Sequence, residues 1–117
     1  MIVVAGHADF TTNEGRDQAI GGSGDFQRAT RADEPGCLAY YFAADPVIDT
    51  RMVVWELWQD EASLAAHFGH DNYFGMQKHL GGYGLASADF NKYRVDRHEP
   101  VYDKTMTARA DFFTDEG

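Results

Sequence analysis

The chain has 117 residues, 44% hydrophobic and 14% aromatic, which suits one folded domain with a modest core and excludes a disordered segment. Nineteen Asp and Glu against ten Lys and Arg give a formal net charge of −9, arguing against DNA, RNA and anionic membranes, all of which need a cationic footprint. The single cysteine, Cys37, excludes an intrachain disulfide and a thiolate zinc cluster.

The first residues, Met1-Ile2-Val3-Val4-Ala5-Gly6-His7, lack the basic start of a signal peptide, and no run nears the ~20 apolar residues that span a bilayer. A soluble, cytoplasmic domain is the expectation. Residues 2–10 read as a strand closed by Thr11-Thr12-Asn13. Residues 14–32 read as a helix capped by Thr12 or Asn13. Gly21-Gly22-Ser23-Gly24 sits in its middle, and each helical glycine costs ~1 kcal/mol relative to alanine. That helix should be kinked, split or loosened there, with 25–32 as its firmer half.

Glu34-Pro35-Gly36 is a turn, 37–44 a strand, Asp45-Pro46-Val47-Ile48-Asp49 a hairpin loop and 51–59 the return strand. Asp60 caps a helix to about Phe68, and a second short helix runs from Asp71 to about Leu80. Gly81-Gly82-Tyr83-Gly84 stops it, and 85–97 is the last strand. The order β-α-β-β-α-β predicts an α+β, ferredoxin-like domain over residues 1–101.

Both hairpin strands are apolar on both faces. Val53, Trp55 and Leu57 alternate with Met52, Val54, Glu56 and Trp58; Leu38, Tyr40 and Phe42 alternate with Cys37, Ala39 and Tyr41. The helices can cover only one face, and soluble monomers avoid a large bare aromatic patch. A homodimer that buries the second face follows. Met106, Phe112 and Phe113 make residues 102–117 too apolar for an idle tail, so an arm packing on the partner subunit is expected, with Asp115-Glu116-Gly117 frayed.

Glu34-Pro35-Gly36-Cys37-Leu38, Asp45-Pro46, Trp55-Glu56-Leu57-Trp58 and Ala66-His67-Phe68, in this order, resemble the antibiotic biosynthesis monooxygenase family over most of residues 2–95. The glycine-rich first helix and the segment beyond Tyr102 depart from its pattern. The resemblance implies a dimeric α+β barrel in which each subunit holds a cavity between helices and sheet for a flat aromatic molecule. It also spans several chemistries: cofactor-independent oxygenases of phenols and quinols, haem-degrading enzymes and an isomerase. Fold alone does not choose among them.

His67, three residues after Leu64, falls on the apolar face of its helix. It suits a general base for a phenol, or a structural histidine bonded to a carbonyl or to Glu56. Glu56 could orient His67, bind substrate or pair with Arg51 or Arg94; a structural pairing is the favoured role. Trp55 and Trp58 must point to opposite faces, one to the cavity and one to the interface. Tyr40, Phe42, Trp58, Phe68, Tyr73, Phe74 and Met76 are candidate pocket residues, and His7 a candidate polar contact.

No cofactor is expected. The family's haem-degrading branch has an iron-binding histidine where this chain has Gln77, and His79 lies about 200° round the helix from it. No metal is expected either: Gly69 should separate His67 from His70, and His70, His79 and His98 read as surface residues. Gly21-Gly22-Ser23-Gly24 follows no strand and lacks the lysine of a phosphate loop. The leading expectation is therefore a cofactor-independent monooxygenase of a phenol, quinol or polycyclic aromatic, with His67 and Glu56 as catalytic residues. A non-catalytic small-molecule-binding or stress-response protein, a cofactor-free isomerase and a haem oxygenase are the rivals.

Overall fold

The computed structural model describes residues 1–114, so Asp115-Glu116-Gly117 and their expected fraying lie outside the described residues. The elements are β1 (Ile2–Phe10), α1 (Asn13–Gly21), α2 (Gly24–Asp33), β2 (Cys37–Ala44), β3 (Arg51–Trp58), α3 (Glu61–Phe68), α4 (Asp71–Gly81) and β4 (Leu85–Arg94). The strands form one antiparallel sheet in the order β2-β3-β1-β4, a ferredoxin-like α+β arrangement. Among the described residues, no helix is long and apolar enough to cross a membrane.

The glycine run splits the first helix in two. Thr12 caps α1 by accepting from Gly15 N at 2.9 Å, and Gly22 N closes its end on Gln18 O. Ser23 is fully buried at the joint and donates to Ile20 O at 2.7 Å before α2 begins.

Strand parity sorts the side chains. Ile2, Ala8 and Phe10 of β1 meet Met52, Val54 and Trp58 of β3 and Tyr40 of β2 under the helices, which add Ala19, Leu64, Met76 and Leu80. The other face carries Trp55, 42% exposed and stacked on Tyr41 at 6.4 Å, with Arg31 over the Tyr41 ring. One detail of β2 differs from simple alternation. Cys37 pairs with Trp58 and Ala39 with Leu57, so Leu38 is the extra residue of a bulge and lies half exposed, away from Tyr40 and Phe42.

The two sheet edges differ. Gln27 bonds both the N–H and the C=O of Phe42, and Arg31 donates to Tyr40 O at 2.6 and 2.9 Å, so α2 side chains satisfy the outer edge of β2. At the other edge, every residue of β4 is exposed.

Beyond Val95, whose N–H reaches Met1 O at 2.8 Å, the chain leaves the sheet as an ordered arm. A bridge joins Tyr102 to Ala108, and Asp103 Oδ1 accepts from Thr105 and Thr107. Glu99 accepts from Phe113 N and Thr114 N. The arm leaves Val101, Tyr102, Met106 and Phe112 exposed. It also stretches the molecule to 49 × 33 × 21 Å, with a radius of gyration of 16.4 Å where a compact chain of this length has about 13 Å.

Candidate active site

Between the helices and the sheet lies a cavity of about 520 Å³, walled by apolar side chains that include Val4, Ala8, Phe42, Met52, Val54 and Met76. Glu56, His67 and Gln77 supply polar groups. The wall on the β4 side is Leu85, Ala88 and Phe90, on a strand whose residues are all exposed, and the cavity is open to solvent.

His67 is placed by its helix. Asp60 caps α3 by accepting from Ser63 N at 2.8 Å, and from that start Leu64 and His67 face inward as the buried residues of α3. His67 is 1% exposed and stands among aromatic rings: Trp58 at 4.5 Å, Tyr73 at 5.3 Å and Tyr40 at 5.6 Å between centroids. Its Nδ1 lies 2.9 Å from Glu34 Oε1. The other carboxylate oxygen, Oε2, accepts from Asn72 Nδ2 at 3.1 Å.

Glu34 comes from the corner between α2 and β2. Pro35 bars helical conformation at the residue before it, so α2 ends at Asp33 and Glu34 is extended. Gly36 then lets the corner pass close beneath α3, since a Cβ there would sit 2.1 Å from Ser63 Oγ and 2.2 Å from its Cβ. Gly36→Ala is therefore expected to destabilise the fold by about 1–3 kcal/mol through overpacking, measurable as a lower urea midpoint at unchanged slope.

The carboxylate accepts the Nδ1 proton, which fixes the tautomer and leaves Nε2 as the basic nitrogen. Among the described residues Nε2 takes no hydrogen bond, and the ring is part of the cavity wall. Burial holds the His67 pKa below the usual 6.5, with Glu34 opposing that shift, so the imidazole is neutral near pH 7.

Glu56 behaves otherwise. Its Oε1 accepts from Trp58 Nε1 at 2.9 Å, and burial raises its pKa to about 7 against the lowering effect of that bond, with Glu34 adding to the rise. Burial and the same two carboxylates push the Cys37 thiol up to about 11. The Tyr40 phenol is likewise pushed well above its ordinary value, by burial first and then by Glu56.

The fold brings His67, Glu56, Tyr40, Phe42, Phe68 and Tyr73 to one cavity. Three expected contacts lie elsewhere. Trp58 is fully buried behind His67 and touches Glu56 rather than the cavity space. Phe74, about 100° round α4 from Tyr73, is half exposed. His7 shares the outward parity of β1, opposite to Val4 and Ala8, and so points away from the cavity.

The expected pairings of Glu56 also change. Arg51 sits on the opposite face of β3 and grips Asp9 at 2.8 and 3.0 Å, Arg94 lies 3.8 Å from Asp96, and Glu34, not Glu56, binds His67. Gln77 donates to Tyr73 Oη at 2.5 Å, whereas His79 bonds Ala19 O and packs on Phe26 and Tyr83. Among the described residues, no three His, Cys, Asp or Glu side chains gather as metal ligands would.

The sequence model of the antibiotic biosynthesis monooxygenase family matches residues 1–78, two thirds of the chain. The chain belongs to the antibiotic biosynthesis monooxygenase family. Solved members and relatives share the fold at low identity. A proposed antibiotic biosynthesis monooxygenase from Deinococcus radiodurans superposes with a TM-score of 0.76 at 16% identity, over 88% of this chain and all of that one. A second, from Caulobacter crescentus, gives 0.71 at 18% identity over 84% of this chain and 91% of that one. An uncharacterized protein of Synechocystis is 34% identical over 67 residues, 57% of this chain. The chain spans less than half of that protein's length, 44%.

Proposed function

We propose that this member of the antibiotic biosynthesis monooxygenase family is a cofactor-independent monooxygenase that oxidises a phenolic, quinol or polycyclic aromatic molecule with O2. The observation that carries the reading is a buried, neutral imidazole fixed by Glu34 through Nδ1 in the wall of an open aromatic cavity. His67 Nε2 takes the acidic proton of the bound substrate, and the imidazolium so formed lies against the Glu34 carboxylate. The resulting anion is electron-rich, and the apolar walls strip it of water. It reduces O2 by one electron, and the two radicals recombine at carbon on the way to a quinone. The experiment is oxygen-electrode measurement with a panel of quinols and anthrones; purified protein that consumes no oxygen with any of them ends the reading.

We propose also that the active form is a homodimer. The exposed Tyr41–Trp55 stack, Leu38 and Tyr93 belong to bare faces of the sheet, and the arm offers Val101, Tyr102, Met106 and Phe112. Light scattering is expected to give twice the chain mass, and deletion of residues 102–117 to shift the equilibrium towards monomer. A monomer at micromolar concentration for the intact chain contradicts this.

A further inference from the structure

Glu56 is 7% exposed and forms no ion pair among the described residues. Its one hydrogen bond among the described residues comes from Trp58 Nε1. Arg51 is committed to Asp9, Arg31 to Tyr40 O and Arg16 to the carbonyls of Asp45, Ile48 and Arg51, while Lys92, in register with Glu56 across Val4, is exposed on the edge strand β4. The titratable groups around it are Cys37 and Tyr40 on β2, Glu34 at the α2–β2 corner and His67 on α3. Of these only His67 can turn positive, and Glu34 already holds it. A buried carboxyl in such surroundings is driven to its neutral form. Because Oε1 accepts the indole N–H, the proton resides on Oε2. The side chain is part of the same cavity wall as His67 and is bonded to the N–H edge of the indole on which His67 packs.

We propose that Glu56 is the acid of the reaction, a neutral carboxyl that protonates the oxygen leaving when a substrate hydroperoxide collapses to a carbonyl. This rests on the oxygenase reading above. His67 removes one proton from a CH2 carbon, the carbanion and O2 form the C–O bond, and the imidazolium returns its proton to give C–OOH. His67 then removes the second C–H proton as that electron pair forms C=O and the O–O bond breaks. The departing oxygen takes the Glu56 proton and leaves as water. The His67 imidazolium then gives its proton to solvent in the open cavity and Glu56 regains one from it, so CH2 and O2 become C=O and H2O with neither residue changed. With its pKa raised to about 7, Glu56 is still protonated in the interval between the lowered His67 value and about pH 7, where His67 is already neutral.

The test compares the intact wild-type chain with Glu56→Gln on 1,8-dihydroxy-9-anthrone. Gln keeps the volume and the acceptor for Trp58 Nε1 but has no proton to give. Wild type is expected to form one quinone per O2 consumed. In Glu56→Gln, quinone formation is expected to slow by about 10²-fold or more, with hydroperoxide or released hydrogen peroxide making up the difference. The infrared carbonyl stretch of a protonated carboxyl at pH 6, lost in Glu56→Gln, gives a readout independent of turnover. Equal quinone rates and yields in the two proteins overturn the role of Glu56 while leaving the oxygenase reading standing, and so does a missing infrared band. Wild type inert towards O2 on the whole panel overturns both.

Discussion

His67→Ala is expected to slow substrate-dependent oxygen consumption by about 10²–10⁴-fold, the range a positioned general base supplies. The expectation rests on three features together. The ring is buried in the cavity wall, its Nδ1 is held by Glu34, and its Nε2 has no partner among the described residues. Burial keeps the ring neutral and able to accept a proton, and Glu34 stabilises the imidazolium that results. The acid limb of the rate–pH profile is therefore expected below the usual histidine value of 6.5, the direction in which burial moves this group. Exogenous imidazole should restore part of the lost rate by occupying the space that alanine leaves. Circular dichroism separates this from unfolding. A His67→Ala protein that is folded and within about twofold of wild type, with the same profile, assigns the base to another group.

Much of this arrangement is legible in the sequence, and the illegible part has physical causes. The order of strands follows from Gly, Pro and Asp punctuation, and the break in the first helix from Gly21-Gly22-Ser23-Gly24. The inward position of His67 follows from its spacing to Leu64 along one helix. Parity separates Trp55 from Trp58 but cannot say which faces the helices, because β3 is apolar on both sides; only packing decides. The same ambiguity misplaces His7, since Val3 and Ala5 look as core-like as Val4 and Ala8. Leu38 departs from its expected face because a bulge leaves no mark in composition. Glu34 is the largest omission. An acid before Pro-Gly has the composition of a solvent-exposed turn, and only the close passage of Gly36 beneath Ser63 takes it to His67. With Glu34 in place, Glu56 is freed from orienting the histidine and, among the described residues, is left bonded to the Trp58 indole and in no ion pair.

That uncompensated carboxyl is expected to make the stability of the protein fall as pH rises. The folded-state pKa of Glu56 is raised from 4.5 to about 7, so the folded protein binds its proton more tightly than the unfolded chain does. The stabilisation from that proton is fully present below pH 4.5, declines through the interval and is gone above about pH 7. At about 1.4 kcal/mol per pH unit the whole change is roughly 3 kcal/mol. Glu56→Gln cannot ionise, and its amide oxygen still accepts from Trp58. It is therefore expected to match wild type near pH 4.5 and to exceed it by up to roughly 3 kcal/mol at pH 8. His67 acts with the opposite sign. Its lowered pKa favours the neutral ring, so its contribution is present above pH 6.5 and is lost as pH falls through the folded value. The two groups thus pull the optimum from opposite sides, and the difference between wild type and Glu56→Gln isolates the carboxyl because His67 is common to both. Urea unfolding of the two proteins at pH 4.5, 6 and 8 measures it. A constant difference across those pH values means that Glu56 is ionised in the fold throughout, held by a charge partner that the buried indole bond does not supply.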